Sequence, residues 1–485
     1  MEKLFFAVAG LAVVLAGSAS LQAQTLYMNP AASGNLTGTA EWATTLNGTY
    51  SQAWTDGNNM YFDPTGATTN YTISANITTA GTITLGNSNS TANIVKMNAS
   101  GNNTISFANI TFLDLTASDT LTYYGPTLPG GSFSVNGRGV FQLSGTPSSA
   151  ISGTITVNSA SGANQNAQIL FSNSVYSGTS THIALNGYNA SNAQLSMVGG
   201  ATLTIGSLTS NAYAQVGPSG GGGLTTLIID QATNTIYASN MGGNAFGFTL
   251  AKTGLVQKQG SGNLTFSGAN AFTAQYTDFA VAGGMLIAAN TNSITTALDY
   301  NAIAVNAGGT LASDATGRTL VGNSQTLTGG NITAGANTNG FKVTTAGTSA
   351  IIDPTGTFAI TELNAANGLT IKIDSASDKL SLFTLTGASA AGTFQLDLTG
   401  FSTIANATPY TVLSWLSGTG VDLTDFSATL PSGFVMDIGY GTNGFQTSTA
   451  GSVTSLQLQV IPEPATWLLL AGGSVFLGLL RRRRG

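Results

Sequence analysis

The 485-residue chain has no cysteine, a single histidine and very little charge. Each absence removes a class of answer. Without cysteine there is no disulfide framework, so the chain must hold itself by backbone pairing and packing. With His182 as the only histidine, zinc lacks its usual donors and a Cys–His catalytic pair is impossible. Charged residues make up 7% of the chain, against about 25% in an average globular domain. Setting aside Glu2, Glu463, Lys3 and the four terminal arginines leaves 17 acidic and 8 basic side chains. That surface repels nucleic acid and has no basic stripe to bind it. Bulky apolar residues are scarce too, with 8 Met and 4 Trp. Small and β-branched side chains suit thin, repeated layers better than one bulky core.

What is present is Gly, Ala, Ser, Thr and Asn, arranged in short alternating runs. Examples are Tyr71-Thr72-Ile73-Ser74, Thr82-Ile83-Thr84-Leu85, Thr104-Ile105-Ser106-Phe107, Ala150 to Val157, Ala201 to Ile205 and Asn263-Leu264-Thr265-Phe266. Each alternates an apolar residue with Thr, Ser or another small residue. This is period two, with one face buried and one wet. Gly, Asn and Ser separate the runs as turns. Between its two ends the chain sustains no helical period, so the body is all-β.

Spacing adds repetition. Gly-Gly pairs followed by Leu or Ile recur at Gly199-Gly200, Gly283-Gly284, Gly308-Gly309 and Gly329-Gly330, the last three starting 25 and 21 residues apart. A period of this size is one coil of a β-solenoid, whose stacked coils lie about 4.8 Å apart around a narrow apolar column. The end coils need caps against open strand edges. Residues 24–354 read as the solenoid. Residues 355–460 have longer strands and more acids, including Leu369 to Ile373, Thr393 to Leu398, Tyr410 to Trp415 and Ser455 to Val460. They read equally as a β-rich cap or as more solenoid.

Both ends are targeting segments. Residues 1–23 form a secretory signal: Lys3, an apolar stretch from Leu4 to Ala16, then small residues up to Ala23. A signal anchor is the alternative. Residues 461–485 run VIPEPATWLLLAGGSVFLGLLRRRRG from Val460 onward, in three parts. Pro462-Glu463-Pro464 is extended, because proline fixes φ and removes backbone donors. The uncharged run Ala465–Leu480 reaches roughly 24 Å as a helix, a little short of a hydrocarbon core. Arg481, Arg482, Arg483 and Arg484 stay cytoplasmic and halt transfer. Physics alone gives a membrane-spanning tail.

The three-part order closely resembles the bacterial PEP-CTERM sorting signal. That resemblance implies recognition and cleavage by an exosortase near the motif, an inner-membrane intermediate, and delivery to the cell surface or beyond. A second resemblance covers about thirty residues. The run from Gln257 to Thr273, with Lys258-Gln259-Gly260-Ser261-Gly262 at its head and Gly283-Gly284-Met285-Leu286 behind it, is similar to the autotransporter-associated β-strand repeat. Trp54 to Asp63 resembles the opening of large secreted proteins carrying that repeat. The resemblance implies a right-handed parallel β-helix. Its usual companion, a C-terminal outer-membrane barrel, is replaced here by the PEP-CTERM tail.

Candidate chemistry is sparse. His182 lies in a strand pattern, and no Gly-x-Ser-x-Gly elbow stands out around a strand-to-helix turn to pair with it. Gly220 to Gly223 lack the Lys-Ser/Thr of a phosphate-binding loop and read as a plain loop. Asp374 and Asp378, with Lys372 and Lys379 nearby, and the pair Asp422 and Asp425, are the closest approach to converging carboxylates; none has a calcium-loop pattern. They read as turn acids, and no catalytic, metal or cofactor residue is assigned. Asn-x-Ser/Thr triplets follow from composition. The expected function is a non-enzymatic surface or matrix protein associated with exopolysaccharide or biofilm. An adhesin for a defined ligand and a polysaccharide-active β-helix enzyme are the alternatives.

Overall fold

The computed structural model describes residues 23–463 apart from short internal segments, the longer ones being 87–91, 126–130, 145–150, 219–224, 240–253, 296–301, 321–325, 334–341 and 388–393. Every regular element among the described residues is a strand, except the 3-10 turn Leu423–Asp425. The secretory segment 1–22, the glycine run from Gly220 to Gly223, and the apolar helix expected over 465–480 lie outside the described residues.

The chain winds as a parallel β-solenoid. One ladder starts at Thr25–Met28 and passes through Asn59–Phe62, Thr82–Leu85, Asn109–Phe112, Phe133–Gly137 and Gly153–Ser159. It continues through residues 181–186 and 207–210, then Thr235–Tyr237, Asn263–Phe266, Gly284–Ala288 and Gly309–Ser313. Its last rungs are Ile351–Asp353, Leu369–Lys372, Phe394–Asp397 and Phe426–Thr429. A second parallel sheet stacks Thr68–Ile73, Ile94–Ala99, Asp119–Tyr124, Gly139–Leu143, Ala167–Phe171, Ala193–Met197 and Ala214–Pro218. A third runs from residues 202–205 through Thr225–Asp230, Gly254–Gln259, Thr277–Val281, Ala302–Val305 and Lys342–Thr345.

The alternation in sequence becomes columns in space. On the first ladder Leu26, Met60, Ile83, Ile110, Val135, Val157 and Leu185 lie directly above one another. All seven are buried. Farther along, Leu264, Leu286, Leu311, Ile352, Ile371 and Leu396 repeat the pattern. On the second sheet the column is Val95, Leu121, Phe141, Ile169, Leu195 and Val216. Each buried Leu, Ile or Val contributes about 1.5–3 kcal/mol, so the columns supply the main stabilisation. Each is shared only with neighbouring rungs.

Coil length is not constant. Phe133 pairs with Ile155, 22 residues on; Gly153 pairs with Thr181, 28 on; Thr310 pairs with Ile351, 41 on. The connecting arcs absorb the difference while the inward columns stay in register.

The N-terminal end is closed by aromatic packing. Trp42–Ala43 pairs antiparallel with Thr25–Met28, turning back the first edge. Trp42 is fully buried, its indole Nε1 donates to the Leu36 carbonyl at 2.8 Å, and its ring packs on Trp54 and Phe62 at 5.1 and 5.9 Å. At the other end the strand direction reverses. Val453–Leu458 pairs antiparallel with both Tyr410–Thr419 and Phe445–Ala450.

Candidate functional site: the C-terminal segment

Past Leu458 the chain leaves the main sheet and forms a small ribbon. Val460–Pro462 pairs antiparallel with Phe434–Met436, with Met436 opposite Val460, Val435 opposite Ile461 and Phe434 opposite Pro462. The ribbon is pinned at both ends. The Asp437 N–H donates to the Gln459 carbonyl and the Glu463 N–H to the Gly433 carbonyl, both at 2.9 Å. Antiparallel pairs alternate between bonded and non-bonded positions. The two bonds therefore make Val435–Ile461 the bonded pair and leave Pro462 at a non-bonded one. There the missing N–H of proline takes nothing from the ribbon. Val460 is fully buried and fastens the strand to the core, whereas Glu463 is exposed. Pro462 and Glu463 are the last two described residues. Pro464 and Arg481, Arg482, Arg483 and Arg484 lie outside the described residues.

Residues 460–484 match the family model of the PEP-CTERM protein-sorting motif. The C-terminus of this chain is a PEP-CTERM sorting signal. It marks the chain as an exported protein that an exosortase processes. No curated protein matches the chain. Among the described residues no helix is long and apolar enough to cross a membrane; the apolar run of the PEP-CTERM signal lies beyond them.

The other candidates are occupied by structural duties. His182 is half-buried, and its Nδ1 shares a 2.7 Å hydrogen bond with Ser207 Oγ one rung on. Its register neighbours are Thr154 and Ser207, neither of them an acid. Asp378 accepts two backbone N–H groups, from Gly356 at 2.6 Å and Asp374 at 3.1 Å. Asp374 receives Lys372 Nζ at 2.6 Å, and the same ammonium reaches Asp353 at 3.4 Å. Burial pushes the Asp353 carboxyl above its usual range, against the pull of Lys372. The hydrogen bond to Asp374 leads in raising the Lys372 ammonium. Lys379 opens the next strand, its N–H on the Gly356 carbonyl. Asp422 and Asp425 cap one turn reciprocally: the Thr424 N–H donates to Asp422 Oδ1 at 3.1 Å, and the Asp422 N–H to Asp425 Oδ2 at 2.7 Å. No group of three or more His, Asp or Glu that could hold a metal occurs among the described residues.

One functional-looking residue escapes a sequence reading. Lys258, head of the repeat-like run, points inward. It occupies the buried column Ile205, Ile229, Lys258, Val281, Val305. Its ammonium donates to the carbonyls of Gln259, Gly260 and Gly283, the latter two at 3.0 and 3.1 Å. Burial pushes its pKa down to about 8, partly opposed by Asp230. The signal lay in the period: Val256 faces inward, so Lys258 two residues on must do the same. Its three carbonyl partners make it a tie between rungs.

Proposed function

We propose that the mature chain is a non-enzymatic surface or extracellular-matrix protein that associates with exopolysaccharide. The observation that carries this reading is the outward face of the first ladder. Its paired rows are Thr82 and Thr84, Asn109 and Thr111, Ser134 and Asn136, Thr156 and Asn158, then Ala184 and Asn186. None is charged. The amides are ordered along the axis: Asn158 Nδ2 donates to Asn136 Oδ1 at 2.7 Å, and Asn186 Nδ2 to Asn158 Oδ1 at 3.0 Å. Tyr27 and Tyr61 continue one row with ring centroids 4.9 Å apart. Hydroxyls, amides and an aromatic pair suit sugar hydroxyls and C–H faces, and the sparse charge makes such contact insensitive to salt.

The ionisable side chains support the non-enzymatic half. Asp378 has both oxygens on backbone N–H groups, and Asp422 and Asp425 hold one turn. In this reading the protein passes through an inner-membrane intermediate before reaching the surface.

Co-sedimentation of the mature protein with exopolysaccharide from the same cells tests this. The expected result is binding that persists in molar salt, with no shortening of the polymer. Failure to bind, or loss of polymer length, rejects the reading.

A further inference from the structure

We propose that the strand Phe445–Ala450 is a self-association edge, on which a second copy of this chain pairs antiparallel across a twofold axis at Ser448. Among the described residues this strand pairs on one side only, with Val453–Leu458. Which of its backbone groups remain open follows from the ladder. Ala450 and Val453 close a two-residue turn in which Gly451 has φ +64°. At the other end the Gln459 N–H donates to the Gly444 carbonyl at 3.0 Å. Bonded and non-bonded pairs alternate between these points. Gln446, Ser448 and Ala450 therefore bond to Val453–Leu458, while Phe445, Thr447 and Thr449 turn their N–H and C=O groups the other way. The Thr449 and Thr454 hydroxyls, 3.4 Å apart, mark the close side-chain approach of a non-bonded pair. Phe445 is already satisfied: its N–H donates to the Thr442 carbonyl at 2.9 Å and its carbonyl accepts the Thr442 N–H at 2.7 Å. Thr447 and Thr449 are left facing outward, and every residue from Gln446 to Ala450 is exposed.

Sheet edges are normally blunted by lysine, proline or a bulge. This one has none of them: its pairing with Val453–Leu458 keeps register throughout, and the chain carries no charge from Ile438 to Pro462. Like-charge repulsion between two copies is therefore absent here, although the body as a whole is acidic. The local sequence Thr447-Ser448-Thr449 also reads the same in both directions. With the twofold at Ser448, Thr447 of each copy faces Thr449 of the other. Both are edge-directed, so each such pair exchanges two N–H···O bonds, and the four bonds use every open group of both residues. A twofold at Thr447 or Thr449 leaves some of these groups unpaired. The side chains then meet as Thr–Thr and Ser–Ser cross-strand pairs, which are favourable in antiparallel sheets. The interface is isologous and closes at two copies. It goes beyond exopolysaccharide association; in that reading, joining two solenoids by their C-terminal ends makes the assembly bivalent towards a polymer.

Sedimentation equilibrium of the mature protein over a concentration series, with two kinds of variant, tests this. The wild type is expected to pass reversibly from monomer to dimer. A chain that stays monomeric to its solubility limit, or grows past two copies, overturns the proposal. Thr447→Pro removes an outward N–H and leaves the bonds to Val453–Leu458 in place, so it should abolish the dimer. A folded T447P chain that still dimerises like wild type overturns the edge. If T447P does not fold, cysteine linking decides, and the cysteine-free chain gives it a clean background. Across the twofold, Ser448 and its counterpart form a non-bonded pair with Cα atoms about 4.5 Å apart, within disulfide reach. Gln446 and its counterpart lie about 13 Å apart along the strands. Ser448→Cys should link into a covalent dimer on mild oxidation and Gln446→Cys should not. Equal linking of the two, or none in S448C, overturns the register and with it the proposal.

Discussion

Lys258 and Gly284 fit together so closely that neither position tolerates much change. A Cβ added to Gly284 would lie 2.9 Å from Lys258 Nζ, 2.5 Å from the Gly262 carbonyl oxygen and 2.6 Å from that of Gly260. Gly284 also sits at φ +60°, where side chains are strained. The Gly-Gly pair behind the repeat-like run is thus the floor of the lysine's carbonyl cage.

Gly284→Ala is expected to cost about 1–3 kcal/mol, combining left-handed strain with displacement of the cage. Gly200→Ala is the control. Gly200 has φ +84° with open space around its Cβ position, so only the backbone term applies, about 1 kcal/mol. Parallel urea titrations of the two variants should rank Gly284→Ala as clearly the worse. Equal midpoints would mean that the cage contributes nothing.

The same lysine gives the body a pH signature. Its folded pKa is about 8, against about 10.4 in the unfolded chain. Between these values the unfolded state binds more protons, so stability rises with pH from about 8 towards 10. The contribution is full above the unfolded pKa and is lost as pH falls through the folded one. Buried tyrosines work the other way. Burial raises the Tyr71 and Tyr237 phenols and pushes Tyr123 up to about 12, so stability declines once the unfolded phenols ionise above about pH 10. Lys258→Met should flatten the rise between pH 8 and 10 and leave the decline in place. Melting temperatures across that range check it.

Trp42→Ala should loosen the N-terminal end selectively. Loss of a buried Trp typically costs about 3–5 kcal/mol. Here it also removes the indole bond to Leu36 and the packing on Phe62. In a stacked array the damage should fade with distance. Hydrogen exchange is expected to accelerate at Leu26 and Met60 and stay unchanged at Leu396. Uniform acceleration would show that the solenoid unfolds as one unit instead.

Replacing Pro462-Glu463-Pro464 with alanines should leave membrane insertion intact, because Ala465–Leu480 and the arginines remain. Each arginine costs roughly 2.5–3.5 kcal/mol at the bilayer centre, enough to hold the tail in place. The variant is expected to accumulate uncleaved in the inner membrane while wild type reaches the surface. Equal processing of both forms would reduce the tail to a plain anchor.

The strands were legible because period two is a local property. Thr82–Leu85 and Asn263–Phe266 match their alternating runs from end to end. The coil repeat was legible only where arcs are short; the 41-residue step from Thr310 to Ile351 hides it. The three-part tail was plain from residue type and order. The ribbon that holds its first two residues was not, because its partner Phe434–Met436 lies upstream across the antiparallel turnback and shares no motif with it. The burial of Lys258 is hard to read from residue type, because a lone ammonium in a strand normally faces water.

The unequal arcs have an evolutionary corollary. Since the columns remain in register whether a coil takes 22 residues or 41, insertions falling in an arc change the outside of the molecule without touching its inside. Selection can lengthen, shorten or redecorate these arcs one at a time, and can add or delete whole coils. Lineages sharing the fold should therefore differ in length and in surface while keeping the same inward alternation.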